Sequence, residues 1–293
     1  MQLHCEEVRS ELRAHVLRIN PAVQPWVSRL VRLGYLAKGV IYTSIGALAM
    51  RVAFGMRGGR LTDPAGVLLQ ILRQPFGIAL LTIIGIGIVG YAGYYLFEAI
   101  ADLRCKGGGV RGWRDRSLTI IKSIAYGTVG VQALRIVFAG DRPSSDPRYP
   151  ANAVMHFPFG WVLLVLIGAG VATYGITQIN MAWQGRADED IDVTRVRREA
   201  RWVLTLGRAG AAARGVILVM MGIALALAGA NEKPSQAAGY RDVLSTLATT
   251  DPWLLAAMGS GLLCFGLYQL CHARYARLPF TTREQQTARP TRA

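Results

Sequence analysis

The amino-acid sequence predicts an all-α membrane protein: a six-transmembrane-helix bundle made of three parallel two-helix repeats in a pseudo-threefold arrangement. Three observations predict it: six long apolar stretches, a one-sided distribution of basic residues, and a spacing of basic, proline and tyrosine residues that recurs three times. Composition agrees, since 52% of the 293 residues are hydrophobic and only 17% are charged. That is apolar for a soluble domain of this size, whose surface must still be wetted.

The apolar stretches cover approximately residues 36 to 55, 77 to 100, 118 to 139, 159 to 183, 210 to 230 and 253 to 273. Each is near the roughly 20 residues that cross a bilayer as a helix. The third and fifth carry Lys122 and Arg214 about one turn inside, where long basic side chains snorkel to the headgroups. Such continuous runs do not suit the alternating strands of an outer-membrane barrel.

Of the 33 Lys and Arg residues, 24 fall with the N-terminus, the segments near 100 to 122 and 183 to 214, and the C-terminus, against 9 on the other side. This excess directs those four segments and both termini to the cytoplasm of a bacterial inner or plasma membrane. The same topology accounts for the net charge of +15, so no specific nucleic-acid partner is expected. Trp26, Trp113, Trp183 and Trp202 fall at expected inner boundaries and Trp161 and Trp253 at outer ones, as interfacial anchors do. Residues 1 to 20 lack a secretory apolar core and read as a cytoplasmic helix with Val8, Leu12, Val16 and Ile19 on one side.

Lys38, Lys122 and Arg214 are followed by Pro75, Pro158 and Pro252 after 37, 36 and 38 residues, and each proline by Tyr91, Tyr174 or Tyr268 after a further 16. Each unit holds two spans, so successive units enter the membrane in one orientation, as parallel repeats do. The expected divisions are an N-terminal segment (1–27), repeat 1 (28–105), repeat 2 (106–184), a cytoplasmic connector (185–203), repeat 3 (204–277) and a C-terminal tail (278–293). Each proline is expected to open an even-numbered span. Gly87, Gly90 and Gly93, then Gly127 and Gly130, and the MGSG at 258–261 are expected to let helix backbones approach closely.

The segments GYLAKGVIY and AGVLLQILRQPFG, with the threefold pattern, resemble the bacterial integral membrane protein family called domain of unknown function 1206, over approximately residues 28 to 277. Gly34, Tyr35, Lys38, Gly39, Gln74, Pro75, Phe76 and Gly77 match its recurring signature, whereas IIKSIAYG and AAARGV depart from it in the later repeats. The resemblance implies six membrane helices and carries over no activity, cofactor or substrate.

Convergence of the repeats would bring Lys38, Lys122 and Arg214 to one depth, where a phosphate or carboxylate would receive charge-assisted hydrogen bonds. These residues, with Tyr91, Tyr174 and Tyr268, form the candidate contact set for an anionic lipid or solute; separate snorkelling is the plainer reading. Glu98, the one acid inside an expected span, is the candidate for charge coupling or for pairing with a basic neighbour.

Other chemistry finds no pattern. His4, His15, His156 and His272 read as surface or boundary residues, with no pair placed to hold haem. Cys264 and Cys271 lie two turns apart without a CxxC, and Cys5 and Cys105 face a reducing compartment. Phosphate-loop, dinucleotide, zinc-protease and nucleophile-elbow motifs are absent from the sequence. No enzyme activity, cofactor or metal is expected. The leading reading is a structural or accessory protein that binds anionic membrane lipid, a membrane-protein partner or a second copy of itself; the alternative is a small-solute or ion channel or transporter.

Overall fold

The computed structural model describes residues 24–100, 109–140, 148–185 and 201–275. The expected N-terminal helix, most of the connector and the C-terminal tail lie outside the described residues. All regular structure among the described residues is helical: α1 (Gln24–Ala53), α2 (Pro64–Leu72), α3 (Gly77–Ile100), α4 (Val110–Phe138), α5 (Arg148–Met155), α6 (Gly160–Trp183), α7 (Arg201–Ala230), a 3-10 turn (Pro234–Gln236), α8 (Tyr240–Thr250) and α9 (Pro252–Tyr275). Helices α1, α3, α4, α6, α7 and α9 are long and apolar enough to cross a membrane. The six-span, all-α expectation therefore holds.

The odd-numbered spans begin earlier than hydropathy alone suggests. Helix α1 starts at Gln24 and α7 at Arg201, whereas their apolar runs begin near residues 36 and 210. Hydropathy marks the lipid-embedded part of a helix, and Arg29, Arg32, Arg201 and Arg208 are exposed along the additional turns. These turns build a basic end of the bundle.

At the opposite end, the three short helices precede the even-numbered spans. Asp63 caps α2 by accepting from the Gly66 amide at 2.8 Å, with Pro64 as the first helical residue. Burial pushes the Asp63 carboxyl up from its ordinary value of 3.8, against the pull of that amide bond. Val67 and Leu68 of α2 and Val243, Leu244 and Leu247 of α8 are buried in the main core, so both short helices plug this end with apolar side chains.

Two of the three prolines are not helix starts. Pro75 and Pro158 stand two residues before α3 and α6; only Pro252 opens its span. In the first two units the turn closes from the Gly77 amide to the Gln74 carbonyl and from the Gly160 amide to the Phe157 carbonyl, both at 2.9 Å. Phe76 and Phe159 occupy the third position with φ of 61°. This is the type II pattern, with proline second and a left-handed residue third. Gly77 and Gly160 follow because a Cβ there would strike the carbonyls of Ile71 and Val154. Asp251 instead caps α9, accepting from the Trp253 amide at 2.8 Å.

The spans follow one another around a ring: α1 packs between α3 and α9, α4 on α3, and α7 between α6 and α9, while α4 and α6 meet sparsely. Small residues set the tight joins. A Cβ on Gly46 would lie 2.6 Å from the Leu263 amide, and one on Gly175 would lie 2.7 Å from the Gly215 carbonyl. Gly87 and Gly130 pack as the sequence suggests, against Leu33 and Val89. Gly93 is a correction, since it faces open space and Gly127 is only loosely covered. Three-residue spacing turns Gly93 off the face that Gly87 and Gly90 share.

These environments separate two substitutions. Gly175→Ala forces backbone apart and should cost about 1–3 kcal/mol, whereas Gly93→Ala gains helix propensity of up to about 1 kcal/mol. Thermal unfolding in detergent should therefore fall for the first and hold or rise for the second.

Candidate functional site

Tyrosine and phenylalanine are sorted in this bundle. Eight of the eleven tyrosines lie in the interior network described below, whereas Phe54, Phe76, Phe97, Phe138, Phe157 and Phe159 are all exposed. A core chosen for apolarity alone would not bring the hydroxyl-bearing rings inside. Lipid accepts phenylalanine readily, and the interior supplies partners for the tyrosine rings and hydroxyls.

Those partners are cations. The Lys38 ammonium lies 3.7 Å from the ring centre of Tyr91, 4.5 Å from Tyr126 and 4.7 Å from Tyr35. Lys122 lies 4.3 Å from Tyr95 and 5.6 Å from the same Tyr91. The Arg214 guanidinium is 5.8 Å from the same Tyr126, with Phe265, Tyr42 and Tyr174 at 5.1, 5.4 and 5.5 Å. Tyr91 and Tyr126 thus link the three basic groups into one row, from Lys122 through Lys38 to Arg214.

Helical spacing explains the row. Tyr35 and Tyr42 stand three before and four after Lys38 on α1, and Tyr126 stands four after Lys122 on α4, so each shares a face with the basic residue of its own helix, although Tyr42 meets Arg214 and Tyr126 meets Lys38 and Arg214. Each basic residue also stands six beyond a basic residue nearer the basic end: Arg32 before Lys38, Arg116 before Lys122, Arg208 before Arg214. That sets all three roughly 9 Å further along their helices, at 1.5 Å per residue. Lys38 and Arg214 are buried and Lys122 is half-buried.

Polar contacts fix the arrangement. Arg214 donates from Nε to the Tyr42 hydroxyl at 3.1 Å and, more weakly, from a terminal nitrogen to the Tyr174 hydroxyl at 3.5 Å. The hydroxyls of Tyr35 and Tyr95 bond at 2.7 Å. Ser123 donates to the Ala92 carbonyl at 2.6 Å, pinning α4 to α3 beside Lys122. On α8, Tyr240 packs edge-on to Tyr42, and burial pushes its hydroxyl well above its ordinary value of 10, reinforced by Tyr42 and opposed by Arg214.

The remaining expected residues divide. Tyr91 and Tyr174 face the cations, whereas Tyr268 lies edge-on to His272 at 5.5 Å and over Gly207. Glu98 is buried on α3, two turns beyond Tyr91 toward the basic end. His272 is a correction: it is fully buried and stacks on Tyr35 at 4.1 Å, because α1 begins before its apolar run and Tyr35 there packs on the last turn of α9. Tyr42, Tyr95, Tyr126 and Phe265 were not among the candidates; for Tyr42 and Tyr126 the four-residue step from a basic residue is the available signal. No group of acidic, histidine or cysteine residues suited to a metal occurs among the described residues.

A cleft at the basic end is lined by Gln178, Arg208, Tyr268 and Phe265 among others, and Phe265 also lies against Arg214. The guanidinium's anchor can be tested directly. Tyr42→Phe removes the 3.1 Å partner of a buried charge and should cost about 1–3 kcal/mol. Tyr174→Phe, at the limit of bonding distance, should cost less. Melting temperatures of the two variants in detergent should fall in that order.

A curated protein from Bacillus subtilis (strain 168), uncharacterized protein YxxB, is 30% identical over 268 residues, covering 90% of this chain and 96% of the relative. No solved structure matches the chain. The family model of domain of unknown function 1206 matches three times, over residues 33–102, 119–185 and 209–276, and its matched segments carry Lys38, Lys122 and Arg214 in turn. With most of its length so matched, this chain belongs to that family of bacterial integral membrane proteins.

Proposed function

We propose that this protein is a non-enzymatic accessory component of the bacterial inner membrane that holds the headgroup of an anionic lipid at its basic end. The observation that carries this reading is the charge of the shared aromatic interior. Lys38, Lys122 and Arg214 stand in one row, against Glu98 as the one acid buried among the described residues. An excess of cations at low dielectric favours an anion, and phosphate oxygens accept charge-assisted hydrogen bonds from ammonium and guanidinium groups.

We further read the chain as three parallel two-helix repeats about a pseudo-threefold axis. The three family matches and the common six-residue step from arginine to the interior cation support this. Both termini are assigned to the cytoplasm on the basic asymmetry, and on this reading the site faces the leaflet where anionic lipid attracts basic groups. Reporters at residues 107 and 190 should then be internal, and at 60, 145 and 235 external; an external signal at 107 or 190 would reverse the topology.

Buried Glu98 favours a second reading, carriage of a small anion or ion coupled to that carboxyl, since ionisable groups within spans mark transport routes. The plugging of the opposite end by α2 and α8 favours binding over passage. Replacing Lys38, Lys122 and Arg214 together with glutamine should weaken binding of phosphatidylglycerol in neutral nanodiscs by at least about tenfold, as 1.4 kcal/mol corresponds to tenfold. Replacing exposed Arg32, Arg201 and Arg274 should change it far less. Equal losses would return the triplet to topogenic duty, and ion flux in purified liposomes would favour the transport reading.

A further inference from the structure

We propose that the join between α4 and α6 is a lateral portal through which an anionic phospholipid passes its headgroup from the bilayer to Lys122 and Arg214; this rests on the lipid-binding reading above. The α4–α6 join lies within the second unit, and the joins on either side of that unit and between the first and third are closed by backbone. A Cβ on Gly130 would lie 3.0 Å from the Val89 amide, one on Gly175 2.8 Å from the Val219 amide, and one on Gly46 2.6 Å from the Leu263 amide. At Gly170 on α6, the neighbour across the join is the Ile121 side-chain tip of α4, at 3.2 Å. A flexible tip moves aside far more cheaply than a helix backbone.

The residues behind this tip are those the reading requires. Lys122 is next to Ile121, and Tyr174 is one turn along α6 from Gly170, on the same face. Tyr174 in turn receives the terminal nitrogen of Arg214. Burial grades along this line: Lys122 and Tyr174 are half-buried, and Arg214 is buried. The less buried members of the cationic site therefore flank the sparse join. Helices α4 and α6 are also the least buried of the six spans, with Ile124, Val131, Leu163, Leu166 and Ile167 exposed on them.

That setting selects a lipid over a soluble anion. The join opens on acyl chains, where a free phosphate does not dissolve, whereas a phospholipid keeps its chains against the apolar outer faces while its headgroup enters toward the cationic row. A soluble anion has a different route, the cleft at the basic end lined by Gln178, Arg208 and Tyr268. The two sources of phosphate chemistry thus arrive by different doors.

The test is a cross-link across the join. In full-length protein with the four native cysteines replaced by serine, Ile121→Cys and Gly170→Cys are bridged by a short thiol-to-thiol linker after delipidation. A control bridge joins Ala49→Cys to Gly259→Cys, whose Cβ positions lie 3.2 Å apart at the other end of the bundle. Phosphatidylglycerol retention from mixed neutral nanodiscs is read by native mass spectrometry, and inorganic phosphate binding by calorimetry. The portal predicts at least a fivefold fall in retained phosphatidylglycerol when the Ile121–Gly170 pair is bridged, recovery on reduction of a cleavable linker, and unchanged phosphate binding. Equal retention with and without that bridge overturns the portal and leaves the lipid reading standing. Loss of both ligands also overturns it, because the bridge then acts on the site rather than the route. Failure of the unmodified protein to retain phosphatidylglycerol removes the lipid reading and the portal together.

Discussion

The structure depends on one interaction, the seating of the Lys38 ammonium among the faces of Tyr35, Tyr91 and Tyr126. A lysine within a span costs about 2.5–3.5 kcal/mol on insertion scales. A desolvated cation–π contact returns about 2 kcal/mol, so three rings together offset the charge. The three tyrosines come from α1, α3 and α4, and the same contact that solvates the charge therefore binds three spans. Arg214 repeats the solution with a ring set that shares Tyr126 and adds hydrogen bonds to Tyr42 on α1 and Tyr174 on α6. Guanidinium suits that position, because its fixed fork reaches two helices at once while its charge lies near four aromatic rings.

A bundle held this way needs its helices close enough to share rings, and lipid provides little drive to bring them together. Glycine meets that need where α1 meets α9 and where α6 meets α7, letting backbones touch. The α4–α6 join lacks such contact, so the ring has one weak side. Stability and access are consequently set by different joins. The apolar faces of α2 and α8 close the end opposite the exposed arginines of the basic end, and Tyr240 of α8 reaches Tyr42 beside Arg214.

Much of this was legible in the sequence because membrane chemistry writes in long, simple signals. The six runs, the recurrence of Lys38, Lys122 and Arg214, and the prolines and tyrosines at matched spacing all follow from composition along a helix. What escaped was chiefly tertiary. His272 reads as a boundary residue when hydropathy ends the sixth span, yet α9 carries it under Tyr35. Pro75 and Pro158 read as helix starts because proline is welcome there, but type II turns welcome it equally, and left-handed Phe76 and Phe159 could not be anticipated from residue type. Gly93 fits a small-residue spacing and packs against nothing, since three-residue steps drift around a helix of 3.6 residues per turn. Tyr126 shows the reverse case: its four-residue step from Lys122 is plain in the chain, but that it serves Lys38 and Arg214 depends on how the helices meet.

The central claim is that the tyrosine-held cations form a binding site for a lipid phosphate rather than three separate anchors. An experimental structure of the full-length protein in nanodiscs containing phosphatidylglycerol tests it most directly. The account predicts headgroup density within hydrogen-bonding distance of Lys122 and Arg214, with acyl chains leaving between α4 and α6. A well-ordered interior with no headgroup density near either side chain, and lipid phosphates confined to the exposed arginines of the basic end, would contradict it.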